Sequence, residues 1–190
     1  MLDQIQILFI GKLRLIIKKY IRNIKIKNLY YEIKTNKEYI LVLIFFLKFH
    51  FLCKFNNLID IIAIDRLNKK KRFTIIYNLL SLSFNTRIFI KVKFLEVSNI
   101  MSITNIFSGS NWHEREVWDM YGIFFKNHPD LRRLLNDYNF EGYPLKKDFP
   151  LSGKTELFYS SLKSYIVRQR VKLVQEYRNF IFNFKNINKN

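Results

Sequence analysis

The first hundred residues contain segments with helical spacing and segments with strand-like spacing of their hydrophobic positions. Between residues 3 and 22, apolar side chains recur at steps of three and four, which predicts an amphipathic helix. Leu29–Ile33 is predicted to be a short strand. Glu38–His50 includes eight consecutive apolar residues and is interpreted as a buried helix, although a buried strand can show the same pattern.

Three further segments are predicted strands, of which the last has the period of two that is typical of β-structure. They are Leu58–Ile64, Arg72–Leu82 and Arg87–Leu95, and the last carries apolar residues on one face and lysines on the other. Residues 83–86 are typical of a hairpin turn. We therefore predict an α+β fold, with a mostly antiparallel sheet and one or two packed helices, followed by a long irregular C-terminal arm.

Chain-breaking residues and charge are distributed unevenly. All three prolines and four of the five glycines lie between residues 109 and 153. Residues 101–157 carry seven basic and eight acidic residues, or −1, whereas residues 1–100 carry 19 and 6, or +13. These shifts predict an N-terminal helical extension over residues 1–22, an α+β domain over residues 23–122, and an extended, irregular arm and tail over residues 123–190 that wraps a partner.

The balanced segment begins with a predicted helix. Asn111 is a candidate N-cap, Glu114 follows three residues later, and Gly122 is placed to end the helix. Arg115 and Asp119 are four residues apart, so their side chains are expected to meet on one face.

Glu116 shares the adjoining face of this helix with Asp119, and both tryptophans of the chain flank these charges. Bulky aromatic neighbours favour ion pairs that are partly buried rather than solvated.

A second short helix is predicted to start at Pro129, with Asp130 in its first turn, since His128 before a proline is pushed out of helical geometry. Arg132 and Arg133 would lie on this helix. They are natural partners for Glu114, Glu116 or Asp119, or for carboxylates on another chain.

The third part of the segment is expected to be extended, because Pro144 and Pro150 interrupt any regular structure. We call residues 138–151 the strip. Its large apolar side chains cannot be buried by the strip alone, so we expect it to lie in a groove on this domain or on a partner.

Metal and catalytic sites have little support in the residue pattern. His113, His128 and the neighbouring glutamates lack a Cys cluster, a His-x-x-x-His pair or a His-Glu-x-x-His helix. Glu116 with Asp119 is interpreted as part of an ion network rather than as an acid–base pair. The single cysteine, Cys53, excludes an internal disulfide and is expected to be an inert buried thiol.

The basic charge is a weak clue to function. The net charge is +18, but the chain contains one alanine and many Ile, Lys, Asn and Phe residues, which indicates a gene from an AT-rich genome such as an organelle's. An alternative class is a nucleic-acid-binding protein of an organellar ribosome, which the net charge and the interleaved aromatic residues would support. The basic run Lys69–Arg72 would then contact a phosphate backbone, or else anionic lipid. A solvated loop is the favoured interpretation of that run. A free-standing enzyme is the remaining alternative.

No membrane span is expected, because the longest apolar run has eight residues and a span needs about 20. The N-terminus is basic, but the first serine is Ser81, so a cleaved targeting signal is not expected either.

Three motifs, in their order and spacing, resemble one known family: Glu114-Arg115-Glu116-x-x-Asp119, His128-Pro129-Asp130-Leu131-Arg132-Arg133, and Lys146-Lys147-Asp148-Phe149-Pro150-Leu151-Ser152-Gly153. The chain resembles the 30 kDa subunit of respiratory complex I, the proton-pumping NADH:ubiquinone oxidoreductase, over about two thirds of its length. It departs from the family's usual pattern at Tyr143, where histidine is usual, and at Lys146, where arginine is usual.

The resemblance implies a non-catalytic structural subunit of the peripheral, quinone-reducing arm, on the matrix side of the mitochondrial inner membrane. It implies no cofactor in this chain, since FMN and the iron–sulfur clusters are carried by other subunits. The implied partners are the quinone-site and cluster-bearing subunits, with no nucleic acid, and organelle encoding is expected. The residues predicted to hold the interface are Glu114, Arg115, Glu116, Asp119, Gly122, His128, Pro129, Asp130, Arg132, Arg133, Asp137, Gly142, Pro144, Lys146, Lys147, Asp148, Phe149 and Pro150.

Overall fold

The computed structural model describes residues 17–27, 30–175, 177 and 178. The chain divides into two compact units, Met1–Phe149 and Pro150–Asn190. The first unit therefore extends well past the predicted domain boundary at residue 122. Residues 123–149 belong to it because they are hydrogen-bonded to the helix that precedes them, as described below.

A five-stranded sheet forms the frame of the first unit, in the order β1-β2-β5-β4-β3. Its strands are β1 (Ile21–Lys27), β2 (Tyr30–Thr35), β3 (Asn57–Asp65), β4 (Phe73–Ser81) and β5 (Thr86–Phe94). Every neighbouring pair is antiparallel except β2 and β5. The predicted α+β class with a mostly antiparallel sheet is thus confirmed, and the predicted strand bounds are correct to within one or two residues.

The segment that was compatible with helix or strand is a helix. A 3₁₀ turn (Lys37–Tyr39) leads into α1 (Ile40–Phe49). The helix buries Ile40, Leu43, Ile44 and Leu47, which are spaced as one helical face. This face packs against the apolar face of the sheet, where alternate residues of β4 and β5 are fully buried. The opposite face of α1 is exposed.

The second half of the first unit adds a short parallel pair and a second helix. The pair joins β6 (Ile100–Met101) to β7 (Phe125–Lys126), and α2 (Ser110–Tyr121) lies between them in sequence. Helix α2 packs against the edge strand β3. None of the helices in the described residues is long and apolar enough to cross a bilayer.

The second unit contains an antiparallel hairpin of β8 (Thr155–Ser160) and β9 (Tyr165–Arg170). The prediction of an irregular tail is therefore wrong over these residues, because two runs of alternating side chains pair through the turn between them. Ser164 in this turn has a left-handed φ of 54°. Most of the hairpin's apolar side chains are exposed.

Most of the predicted N-terminal helix lies outside the described residues. Ile21 and Arg22, its last two residues, belong to β1, so the helical prediction is wrong at that end. Ile21 pairs with Thr35 across the β1–β2 ladder, and this pairing replaces intrahelical hydrogen bonds.

Truncation of the core face of α1 tests the packing of helix on sheet. Leu43→Ala removes a fully buried side chain and should lower the free energy of unfolding by about 3 kcal/mol. Val42→Ala, one residue earlier at a site that is 48% exposed, should lower it by less than about 1 kcal/mol. Urea unfolding of the purified variants measures the difference, and equal losses would contradict the assigned helix orientation.

Candidate interaction site at the C-terminal end of helix α2

Helix α2 is shaped by the two glycines that bound it. Gly122 has a left-handed φ of 72°, and its N–H donates to the carbonyl oxygen of Trp118, so it ends the helix as predicted. The predicted N-cap is wrong, because the N-cap position is Gly109, without a side-chain cap. The helix starts earlier since the hydroxyl and N–H of Ser110 both donate to the carbonyl oxygen of Phe107, which continues the preceding turn.

The carboxylate of Asp119, fully buried on α2, collects hydrogen bonds from the segment that follows. The N–H groups of Leu134, Leu135 and Asn136 donate to its Oδ2 at 3.2, 2.8 and 2.9 Å. Its Oδ1 accepts from the guanidinium of Arg133 at 2.6 Å and from the Asn136 side chain at 3.0 Å. Burial alone would raise the pKa of Asp119, but these hydrogen bonds, those of Asn136 foremost, lower it to about 2.

The short helix predicted from Pro129 does not form. Arg115 of α2 donates from its guanidinium to the carbonyl oxygens of Arg132 and Arg133, at 3.2 Å each. The following N–H groups donate to Asp119. Two side chains of α2 therefore satisfy the backbone groups that a helix would have paired internally. The sequence predicts that Arg115 and Asp119 contact each other. In the structure they instead bind different backbone groups of the same loop, Arg115 the carbonyl oxygens and Asp119 the N–H groups.

Arg133 connects the loop to the strip. Besides its 2.6 Å ion pair with Asp119, its guanidinium donates to the carbonyl oxygen of Gly142 at 3.0 Å. It lies 5.7, 5.6 and 5.4 Å from the ring centroids of Trp118, Phe140 and Tyr143. The predicted pairing of Arg133 with Asp119 is thus confirmed. A planar guanidinium suits this position because it can bond at its edge and stack on rings at its faces.

The remaining charges of the first two motifs are outside this network. Arg132 pairs with Asp130 at 3.0 Å, and both side chains are at least half exposed. Such a surface pair contributes little to stability. Glu116 and Pro129 are exposed as well. The structure therefore separates the predicted residues into a buried group that shapes the loop and an exposed group.

A second ion cluster, centred on Arg72, holds the other end of the strip. The Arg72 guanidinium forms two 2.8 Å bonds to Asp65, and bonds of 2.9 Å each to Asp148 and Glu96. Lys146 also binds Glu96, at 2.9 Å. Hydrogen bonds from Arg72 lower the pKa of Asp65 and of Asp148. In addition, the N–H of Lys147 donates to Asp65 at 2.9 Å.

Sequence reasoning missed Asp65, Arg72 and Glu96. Arg72 is both the first residue of a predicted strand and the last of the basic run interpreted as solvated, yet its side chain is only 11% exposed. A usable signal was present, because Asp65 ends β3 and Arg72 immediately precedes β4, so the hairpin brings them together. Lys69, Lys70 and Lys71, within that hairpin loop, are exposed as the solvated interpretation predicts.

Between the two ion clusters, the strip packs against the end of α2. The N–H of Leu145 donates to the carbonyl oxygen of Met120 at 3.0 Å. A Cβ at Gly122 would lie 2.6 Å from the Tyr143 ring, and one at Gly142 would lie 2.7 Å from the Phe149 ring. Only glycine allows such close approach. The groove that was expected for the strip is thus provided in part by this domain.

Other side chains of this region point to solvent. Leu135, Tyr138 and Leu145 are 61%, 74% and 52% exposed. Asp137 is exposed, Pro144 is half-buried, and Pro150 is an exposed residue of the second unit. The first three form an apolar set on a backbone that the two ion clusters hold in place.

A second carboxylate of α2 is also buried, but its pKa is shifted in the opposite direction. Glu114 is fully buried, and its Oε1 accepts from the N–H of Ile103 at 2.8 Å, while its Oε2 has no hydrogen-bond partner among the described residues. Burial raises the pKa of Glu114 to about 7, against the opposing effect of Ser102, Ile103 and Ser110.

The nearby imidazole does not neutralise Glu114. His128 Nε2 lies 3.9 Å from Glu114 Oε2 and contacts the carbonyl oxygen of Asn111 at 3.3 Å. Its Nδ1 accepts from the N–H of Asp130 at 3.1 Å, which assigns the proton to Nε2 in a neutral ring. Burial also lowers the pKa of His128. The two groups therefore do not form an ion pair near neutral pH.

The described residues contain no group of three His, Cys, Asp or Glu side chains placed to hold a metal ion. His113 lies 3.4 Å from Asp60, at the edge of β3. Cys53 is buried, and burial raises the pKa of its thiol to about 12.

The Asp119 network predicts a large effect of a small substitution. Asp119→Asn should lower the free energy of unfolding at pH 7 by about 3 kcal/mol or more, because it leaves Arg133 without its charged partner. Glu116→Gln, at an exposed position of the same helix, should change it by less than about 0.5 kcal/mol. Because the folded-state pKa is depressed, the contribution of Asp119 is complete above about pH 4 and is lost as the pH falls towards 2. Urea unfolding between pH 2 and 7 measures both effects, and equal behaviour of the two variants would contradict the network.

Glu114 predicts the opposite pH dependence. The pKa of Glu114 is about 7 in the folded state and 4.5 ordinarily, so the folded protein is most stable, as far as this group is concerned, below pH 4.5. As the pH rises from 4.5 to 7, the free energy of unfolding falls, because burial disfavours the ionised carboxylate. Glu114→Gln mimics the protonated acid and should gain stability relative to the parent over this range, by about 3 kcal/mol in total. A constant difference between pH 4.5 and 7 would show that Glu114 titrates normally.

The fold and the sequence both have known counterparts. The structure resembles a chain of the membrane-bound sulfane sulfur reductase, an archaeal respiratory membrane complex, with a TM-score of 0.63 and 20% identity, over 74% of this chain and 85% of that chain. This likeness concerns the fold alone. Proteins named NADH dehydrogenase [ubiquinone] iron-sulfur protein 3 are 44% identical in Beta trigyna, 44% in Oryza sativa subsp. japonica and 43% in Arabidopsis thaliana.

Each of these three matches spans 87% of this chain and 86 or 87% of the relative. The sequence model of the respiratory-chain NADH dehydrogenase 30 kDa subunit matches residues 33–155, which include strands β3, β4 and β5, the second half of β2, both helices and the strip. On this evidence, the chain belongs to the family of the 30 kDa subunit of respiratory-chain NADH dehydrogenase.

Proposed function

We propose that this chain is a structural, non-catalytic subunit of the peripheral, quinone-reducing arm of proton-pumping NADH:ubiquinone oxidoreductase. It would hold the cluster-bearing and quinone-site subunits in register for electron transfer from NADH to ubiquinone. Membership of the 30 kDa family supports the assignment to the complex. FMN and the iron–sulfur clusters would be carried by other subunits, and the chain itself would neither bind nucleic acid nor cross the membrane.

The observation that carries the scaffolding role is the strip between the two ion clusters. Arg133 and Arg72 anchor it through the Gly142 carbonyl and through Asp148. Tyr138 and Leu145 remain largely exposed on this rigid backbone. Large apolar side chains fixed in an exposed position are typical of a surface that a partner covers.

The β8–β9 hairpin supports the same proposal. An isolated two-stranded hairpin is marginally stable in water, and Leu157, Tyr159 and Ile166 of this hairpin are at least 60% exposed. A partner subunit that covers these side chains would stabilise the hairpin.

The assembled complex would lie at the mitochondrial inner membrane, with this subunit on the matrix side. The names of the plant relatives support the respiratory assignment. The composition supports an AT-rich, organelle-encoded gene. Electron transfer depends steeply on the distance between cofactors, so a misplaced brace should prevent assembly rather than change one rate constant.

Removal of the exposed apolar side chains of the strip tests the scaffolding role. The double variant Tyr138→Ser, Leu145→Ser should lower the amount of assembled complex roughly tenfold, because two apolar contacts with a partner are lost. Native electrophoresis of membranes, stained for NADH oxidation, measures this amount. The folded state of the chain itself should be unaffected, since neither side chain is buried in it.

Leu82→Ser is the matched control, at a 70% exposed position in the β4–β5 turn. It should leave the amount of complex unchanged. Normal assembly of the double variant would overturn the assignment of the strip as an interface, and absence of the parent chain from the stained band would overturn membership of the complex.

A further inference from the structure

One face of the five-stranded sheet is not covered by either helix. Residues that lie opposite each other in a ladder share a face, so the registers define it. Lys34, Lys91, Ile76 and Ile62 form one row across β2, β5, β4 and β3. Phe89 and Asn78 belong to the next row in one direction, and Lys93 and Thr74 to the next row in the other. We call this the open sheet face.

The open sheet face is apolar on one side. Ile62 is 42% exposed, and Ile64, Ile76 and Leu80 are half-buried on β3 and β4. Five strands spaced about 4.8 Å apart give a face roughly 20 Å wide. A surface of this size is too broad for a small molecule and suits part of a protein–protein footprint.

The other side of the face is basic. Lys34 and Lys91 are neighbours across the β2–β5 ladder and share one carboxylate, Glu32, at 3.8 and 3.0 Å. Lys93 has no ion pair among the described residues. Burial lowers the pKa of Lys93, and so do the positive charges of Arg66, Lys34, Lys69 and Lys91. These like charges are therefore concentrated rather than dispersed over the surface.

Two polar side chains between these regions lack partners. Thr74 Oγ1 and Asn78 Oδ1 are buried on the open face and have no hydrogen-bond partner among the described residues. Their residues are only 1% and 8% exposed. Because neither atom is accessible to solvent, a docked segment would not contact them, and the lysines and apolar side chains of the face are what a partner would meet.

We propose that the open sheet face is a docking surface for a polypeptide segment of a partner subunit that carries aspartate or glutamate beside apolar residues. The carboxylates would lie over Lys34, Lys91 and Lys93, and the apolar side chains over Ile62 and Ile76. Anionic lipid would also match the lysines and the apolar side, and a lipid adduct is therefore one of the outcomes that the experiment below distinguishes.

This inference rests on the proposed function only in taking the partner to be another subunit of the same complex. It concerns a surface that is distinct from the strip and from both ion clusters. The two proposals therefore fail independently.

Site-specific photo-cross-linking in the assembled membrane complex tests the inference. A benzophenone amino acid replaces Ile62, an exposed position at which the larger side chain is tolerated. After irradiation, mass spectrometry should identify an adduct with an Asp- or Glu-bearing segment of another polypeptide. An adduct with lipid, with this chain or with a second copy of it, or no adduct, would overturn the proposal.

A charge reversal provides the second arm. In the cross-linking background, Lys93→Glu should lower the adduct yield roughly tenfold, because it places like charge against the acidic segment. Lys70→Glu makes the same change of charge in the β3–β4 loop and should leave the yield unchanged. Equal yields from the two variants would exclude charge complementarity at this face.

Co-migration separates the two proposals. If the chain co-migrates with NADH oxidation activity but position 62 gives no adduct, the docking inference fails and the proposed function stands. If position 62 yields the acidic adduct in an assembly without that activity, the docking inference stands and the proposed function fails.

Discussion

The buried carboxylate of Asp119 is the interaction on which the arrangement of the strip depends. Three consecutive N–H groups and one guanidinium converge on it, and a charge removed from water is stable only when it is satisfied in this way. The loop after β7 has no regular structure of its own, so its path is the one that keeps these donors on Asp119. Arg133 extends that control to Gly142, and thereby to the start of the strip.

The Arg72 cluster gives the strip a second anchor on a different element. It draws on the β3–β4 hairpin, on Glu96 two residues after β5, and on the strip itself. A ribbon held at both ends by buried or half-buried ion pairs can present exposed apolar side chains with a defined geometry. That property is what the proposed bracing role requires.

Helix α2 carries two buried carboxylates whose pKa values differ because they lie at different positions along the helix. Asp119 lies at the C-terminal end, where a loop folds back to supply donors, and the pKa of its carboxyl is about 2. Glu114 lies five residues earlier, under the Ile103 segment, with one donor to one oxygen, and the pKa of its carboxyl is about 7. Burial raises the pKa of both carboxyls; the hydrogen bonds outweigh burial at Asp119, whereas burial outweighs them at Glu114.

Residue spacing by itself determined some of the local elements of this protein. The apolar segments predict β3 and β4, alternation at a period of two predicts β5, and the glycine after a helical run predicts the end of α2, because each depends on neighbours within one strand or turn. The motifs around Asp119 and Asp148 were sufficient to identify the family. Tertiary structure decided what local spacing does not encode, namely which charges meet. Asp119 and Arg133 are 14 residues apart, and Arg72 and Asp148 are 76 apart. The helix predicted after Pro129 was lost for the same reason, since its backbone groups found stronger partners on α2 than a short helix could offer.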